Sequence, residues 1–402
     1  MNEAVLRAAE RKRFEILKKV SPETFKELLK RAGDYWVTYE PRPNLPESVG
    51  SVDGGDNHVD FKGFTLYAVS AVAEVFKHEG GGRYRQVVKH ELADVDILAP
   101  PSTNDRLTLL REILESLAHY LAIGTGHPEI MLADGSLRSL LIAPVTLHLE
   151  EKFQNISEAL KAATDLLGPD ALEELERRVK EVASDPERAG ESPLQAVKMF
   201  TERNISLTAA VATPLLIMEY IEKLLLLRKI ITEAFRGIKI YYVSKRARSQ
   251  NYFKELILQG YTIPSDMAVF QYLTAEPGYT KPIVPDAEGG RTRRGVRTMP
   301  PVLGLRNFFR DAYVAISYVR LVRGGPVLKV EFPVRLDSVS DAAVREFMDL
   351  AAPITSPEGY PYPLYVVDKD ARIPRDDLRS LYRSLGLTSF LGGREVLNEW
   401  VG

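Results

Sequence analysis

Two short segments constrain this 402-residue chain more than anything else in it: Ser51-Val52-Asp53-Gly54-Gly55 and Leu132-Ala133-Asp134-Gly135-Ser136. Each sets an aspartate at the carboxyl end of an apolar run and follows it at once with glycine. Asp-Gly is good turn chemistry, and either segment alone reads as a turn. The pattern around and between them gives the pair its weight. Ser48–Val52 leads into the first aspartate. Phe61–Lys77 and Tyr84–Ile97, rich in strand-forming residues, flank the turn Gly80-Gly81-Gly82. Pro100-Pro101 and Asn104 open a helix whose buried seam is Leu107, Leu110, Leu114, Leu117 and Leu121. Glu129–Ala133 is the strand before the second aspartate. The order is β-β-β-α-β.

Such a unit can set its first and fourth strands side by side, and sites in α/β sheets form beyond the carboxyl ends of strands. Asp53 and Asp134 are therefore expected to converge, with the glycines keeping side chains out of the space beside them. Clustered carboxylates without basic partners repel one another, and a divalent cation resolves that repulsion. A third carboxylate is expected from the helix, where Glu112 and Glu115 are the candidates. Glu115 borders the leucine seam and is favoured, although Arg111, one turn before it, also allows a plain surface ion pair. Glu112 falls on the more polar side with Thr108, Ser116 and His119. Hard oxygen ligands suit Mn²⁺ or Mg²⁺ rather than zinc. Metal pairs roughly 3.5–4 Å apart serve phosphodiester cleavage.

Other chemistries are excluded or unsupported. The chain has no cysteine, so disulfides, zinc fingers, Fe–S clusters and thiol nucleophiles are ruled out. No Walker-type phosphate loop and no G-x-S-x-G elbow occurs. None of the six histidines, His58, His78, His90, His119, His127 and His148, has metal-ligand spacing; His58 lies nearest to Asp53 in sequence. The formal net charge of −2 predicts no global attraction to nucleic acid, so binding must come from local patches. The charged N-terminus is not a signal peptide. The longest uncharged stretch, Ile205–Met218, is too short for a bilayer and reads as a buried helix. A cytoplasmic protein is expected, and scarce amides with many charges and prolines lean toward a thermophile.

The remaining pattern divides the chain as follows. Residues 1–46 are an N-terminal helical segment, with a second helix starting at Ser21-Pro22-Glu23. Residues 150–236 form a helical insertion of three or four helices. Ile238–Val243 is a strand ending in Ser244-Lys245. Residues 277–301 read as a long mobile loop. Strands follow at Ala312–Leu321 and Val327–Phe332, with a helix at 339–351. A last strand, Tyr365–Val367, ends in Asp368, and helices close the chain at 374–384 and 393–400.

The β-β-β-α-β order, with acidic residues on its first strand, helix and fourth strand, resembles the ribonuclease H-like fold. The segments SVDGG (51–55) and LADGSL (132–137), with Arg111-x-x-x-Glu115 between them, resemble NurA, a family of archaeal DNA-end-processing nucleases. Weaker similarities are Tyr242-Val243-Ser244-Lys245, Ser317-Tyr318-Val319-Arg320-Leu321 and Tyr360-Pro361-Tyr362-Pro363-Leu364. The resemblance spans roughly 48–378. It implies a single NurA-type domain over 1–402, with an α/β core of mixed sheet made from 48–149 and 237–378. It implies Mn²⁺-dependent cleavage of single- and double-stranded DNA, including 5′→3′ exonuclease and single-strand endonuclease activity. It also implies a homodimer and a partnership with the hexameric translocase HerA in end resection. By position, Asp53, Glu115 and Asp134 are the implied metal ligands, and Lys245 is expected to hold a phosphate. Where the family often has a histidine, this chain has Asp368, which is expected to serve as a fourth oxygen ligand to the cation, with Asp370 as the alternative.

Two basic clusters are candidates for phosphate contact: Lys245, Arg246 and Arg248, and Arg291, Arg293, Arg294 and Arg297. Tyr242, Tyr252 and Phe253 could stack bases, although burial is the commoner role. The N-terminal helices either cap the core or meet the translocase. Competing readings are a non-catalytic DNA-binding subunit of a translocase complex, and another ribonuclease H-like nuclease such as a resolvase or an RNA-directed enzyme.

Overall fold

In the computed structural model, residues 3–19, 22–61, 64–98, 103–141, 155–208, 211–254, 265–285 and 299–387 are described. The chain begins with α1 (Glu3–Lys19), α2 (Pro22–Tyr35) and a short strand, β1 (Trp36–Thr38). Three long strands follow, β2 (Ser48–Asp60), β3 (Thr65–Gly80) and β4 (Arg83–Leu98), then α3 (Thr103–Gly126) and β5 (Ile130–Asp134). After α4 (Leu137–Leu141) come five helices: α5 (Ile156–Leu167), α6 (Ala171–Val182), α7 (Pro186–Glu191), α8 (Gln195–Glu202) and α9 (Ala212–Phe235). The chain returns to the sheet as β6 (Lys239–Ser244), followed by α10 (Asp266–Leu273), β7 (Gly278–Thr280), α11 (Leu305–Asp311), β8 (Tyr313–Arg320) and β9 (Leu328–Val334). It ends with α12 (Asp341–Ala351), α13 (Tyr362–Ala371) and α14 (Arg375–Ser384).

One mixed sheet of nine strands, in the order β1-β7-β8-β9-β6-β5-β2-β3-β4, organises the molecule. The β-β-β-α-β unit has the predicted arrangement: β2 lies between β3, antiparallel, and β5, parallel. The β3–β4 hairpin turns at Gly80-Gly81-Gly82, all three with positive φ, which glycine adopts without a Cβ clash.

Both faces of the sheet are covered at its centre, where the pleat assigns residues to them alternately, while the edge strand β4 is largely exposed. Along β5, Met131 and Ala133 join a core with the α3 leucine seam and α9, whereas Ile130 and Leu132 join one with α12 and α13. The apolar helix α9 is buried along most of its length, including Glu219, Glu222 and Lys223. Each of these buried charges has a partner, as burial demands. Glu219 accepts from Arg106 at 2.8 Å, Glu222 accepts backbone N–H groups of Gln195 and Ala196, and Lys223 donates to Glu112 at 2.8 Å. Among the described residues no helix is long and apolar enough to cross a membrane.

Several sequence expectations need correction. The first strand runs through Asp53-Gly54-Gly55 to Asp60 instead of ending there, because β3 pairs with it along its whole length. The segment 277–301 is not simply a loop: it contains β7, which joins β1 to β8. Gly278 is where β7 crowds the Val37 carbonyl and the Trp36 indole too closely for a Cβ. The insertion has five helices among the described residues, the last of them beginning at Ala212 within the apolar stretch 205–218. The segment Tyr365–Val367 is helical, within α13. Its buried residues are Pro363, Leu364, Val367 and Ala371, a helical spacing, and Pro363 sits in the first turn, where a missing N–H costs nothing. The helix expected at 393–400 lies outside the described residues.

Candidate active site

The register of three parallel strands builds the floor of the site. Val52 pairs with Ala133, so Asp53 and Asp134 follow side by side on β2 and β5. Asp134 in turn sits beside Val243 of β6, and Ser244 and Lys245 come next. Gly135 turns the chain away with φ 118°, its N–H donating to the Val243 carbonyl, and Ser244 Oγ donates back to the Gly135 carbonyl at 2.5 Å.

The helix α13 delivers a further carboxylate across the top. Ligand oxygens of Asp53, Asp134 and Asp368 all lie within 4.8 Å of one another. The helix reaches this position because Gly55 has no side chain: a Cβ there would run into the Ala371 carbonyl. Ser70 Oγ donates to the same carbonyl at 2.6 Å, and Asn57 Nδ2 donates to the Ile373 carbonyl at 2.9 Å, tying the helix end to β2 and β3.

Glu115 on α3 approaches from below the sheet. Its Oε2 lies 3.2 Å from where a Gly54 Cβ would stand, so the absent side chain opens the path from Glu115 to Asp53. It is not one of the three mutually close carboxylates. Burial, and then the charge of Asp53, push its pKa well above the ordinary value. Asp53 is pushed up to about 7, first by burial and then by the charge of Asp134, against the N–H of Gly54 that its Oδ1 accepts at 2.8 Å. The pocket gathers more negative charge than it can stabilise by itself.

Three groups answer part of that charge. Lys245 Nζ stands 3.1 Å from Asp134 Oδ2 and 3.8 Å from Asp368 Oδ1. It also lies over the Tyr360 ring, 4.4 Å from its centroid. The Tyr360 hydroxyl donates to Asp134 Oδ2 at 3.1 Å, and its own pKa is driven up by burial and by that carboxylate. From the solvent side Arg372 meets Asp368 at 2.6 Å. The donor set is oxygen-rich, anionic and short of cations, which suits a hard divalent ion.

The other sequence candidates fall elsewhere. Glu112 is held by Lys223, and Asp370 turns to Lys89 at 2.7 Å. Arg111 pairs with Asp56 at 2.8 Å and lowers the Glu115 pKa only by its charge. His58 lies 3.9 Å from Asp60. Arg246 and Arg248 are exposed just beyond Lys245. Arg291, Arg293, Arg294 and Arg297 lie outside the described residues. Tyr242, Tyr252 and Phe253 are buried in the core and cannot stack bases. The residue that sequence reasoning missed is Tyr360. It was visible only as the first residue of a weak similarity motif, and no spacing tied it to Asp134, 226 positions away.

Fold and acidic cluster together give an α/β sheet with a carboxylate set suited to a hard divalent cation, the donor type used in metal-assisted phosphodiester hydrolysis. The family model of the NurA domain matches residues 47–373, and the chain belongs to the NurA family. Among solved structures it is similar to the NurA nuclease from Sulfolobus solfataricus, with 20% identity, a TM-score of 0.66, and 96% of this chain and 97% of that one covered. It is also similar to a NurA bound to dAMP and manganese, with 16% identity, a TM-score of 0.68 and coverage of 96% and 97%. A NurA with manganese is similar at 15% identity and a TM-score of 0.61, covering 94% of this chain and 98% of that one. At these identities the likeness is one of fold. No curated protein matches the sequence.

Proposed function

We propose that this chain hydrolyses phosphodiester bonds of DNA with the help of Mn²⁺ or Mg²⁺. The observation that carries the reading is the convergence of ligand oxygens of Asp53, Asp134 and Asp368 within 4.8 Å of one another, where the parallel pairing of β2 and β5 ends and α13 crosses it. These three carboxylates would hold the cation, with Glu115 adding charge beneath Asp53. A divalent ion bound there supplies electrostatic stabilisation to an in-line displacement at phosphorus.

The protein's own groups do the rest. Asp53 gives up its proton as the site loads. Tyr360 donates to Asp134 and so fixes the orientation of that carboxylate. Lys245 is placed to neutralise a phosphate oxygen beside the acidic cluster. Exposed Arg246 and Arg248 extend the cationic surface, and Arg291, Arg293, Arg294 and Arg297 would add phosphate contacts that make binding salt-sensitive.

Membership of the family supports a finer reading: 5′→3′ exonuclease and single-strand endonuclease activity on single- and double-stranded DNA. In that reading a homodimer works in the cytoplasm with a HerA-type translocase during double-strand-break end resection, and the N-terminal helices are one candidate surface for the translocase. The test is cleavage of linear single- and double-stranded DNA with Mn²⁺, compared with four-way junctions and RNA. DNA degradation that disappears in Asp53→Ala and Asp134→Ala supports the assignment. Equal cleavage by either variant overturns it.

A further inference from the structure

A second feature adjoins the acidic cluster. A cleft of about 740 Å³ opens between the β3–β4 hairpin and the chain before α13. Its walls include Phe76, Tyr84, Tyr360, Tyr362 and Tyr365. Aromatic rings on a protein surface are normally buried or scattered. Here Tyr362 and Tyr365 are 58% and 57% exposed, and their rings stack with centroids 6.2 Å apart and planes 27° from parallel.

Placement gives the cleft a direction. Tyr362, Tyr365 and Asp368 follow one another at three-residue spacing on α13, each about 4.5 Å further along the axis and turned about 60° from the one before. Two stacked rings therefore lead to a carboxylate of the acidic cluster. Tyr360 joins the two sites: it lines the cleft, and its hydroxyl donates to Asp134.

We propose that this cleft binds unpaired nucleobases of a single DNA strand, stacking them on Tyr362 and Tyr365 so that the adjoining phosphate enters the acidic cluster. The proposal rests on the nuclease reading and deepens it. Aromatic stacking accepts any base, because each has a π-face, and excludes paired bases, whose faces are covered. The cleft would thus select frayed ends and single strands without reading sequence.

The test is fluorescence anisotropy of fluorescein-labelled oligo(dT) with the full chain in EDTA, so that binding is read without cleavage. Tyr362→Ala/Tyr365→Ala is expected to weaken single-strand binding at least about tenfold, Tyr362→Phe/Tyr365→Phe to retain it, and duplex binding to change little in either. Unchanged single-strand affinity in the alanine variant overturns the proposal. So does an equal loss in the phenylalanine variant, or a shift of the alanine variant to a smaller species on gel filtration, which would make the cleft a self-association surface. Binding that behaves as expected in a protein that never cleaves DNA would uphold the cleft and defeat the nuclease reading.

Discussion

Asp53 shows what the site costs the protein. Its carboxyl, ordinarily near 3.8, is raised to about 7 because it is buried and faces Asp134. The folded, metal-free protein therefore holds a proton that the unfolded chain has lost, and stability from this group falls as pH rises between those values. Asp53→Asn is expected to stabilise the metal-free protein at pH 8 by at least about 1 kcal/mol, read from urea denaturation, while abolishing Mn²⁺ binding. A variant no more stable than the parent would show that Asp53 is not strained. A cation held there as proposed would expel the same proton, so Mn²⁺ affinity measured by calorimetry should fall up to about tenfold for each pH unit below 7. Affinity that is flat over that range would contradict the account. Asp368 and Asp370 provide a paired comparison two residues apart. Asp368→Ala should cost at least about a hundredfold in DNA cleavage. Asp370→Ala breaks only the contact with Lys89 and should leave the rate within a few fold.

At the scale of elements, α13 decides whether the site exists, and Gly55 decides where α13 sits. Gly55→Ala places a methyl group against the Ala371 carbonyl. It should destabilise the fold by about 1–3 kcal/mol through overpacking and weaken Mn²⁺ binding by moving Asp368. Normal metal affinity in a destabilised Gly55→Ala protein would show that the helix position is not critical. The same element marks how far the sequence could be read. Asp53 and Asp134 were legible because each ends an apolar run, and the β-β-β-α-β order places those runs side by side. Asp368 was read as a strand-end residue, since Tyr365, Val366 and Val367 favour strands. The helix wins because Leu364, Val367 and Ala371 bury on one side against the sheet, a tertiary preference that no local propensity contains. Tyr360 was illegible for a related reason, because its partner is distant in sequence and only the folded sheet joins them. Glu115 was favoured over Glu112 from its place beside the leucine seam, and the fold adds a reason the sequence lacked: α9 brings Lys223 to Glu112.

At the scale of the molecule, the described sheet and helices surround the acidic cluster. The insertion helices pack through α9 against α3, which carries Glu115, and the contact includes the buried pair Arg106–Glu219. Removing one member of such a pair strands the other charge. Glu219→Ala should therefore destabilise the protein by roughly 3–5 kcal/mol in urea denaturation. Mn²⁺ affinity of the folded fraction should stay unchanged, because neither residue touches the acidic cluster. A selective loss of metal affinity without loss of stability would instead make this pair part of the site. The central claim is that the sheet and α13 together form one cation site from Asp53, Asp134 and Asp368. The most direct measurement is the anomalous difference density of a crystal soaked in Mn²⁺. The account predicts a peak bonded by those three carboxylates; well-ordered side chains with no peak among them would contradict it.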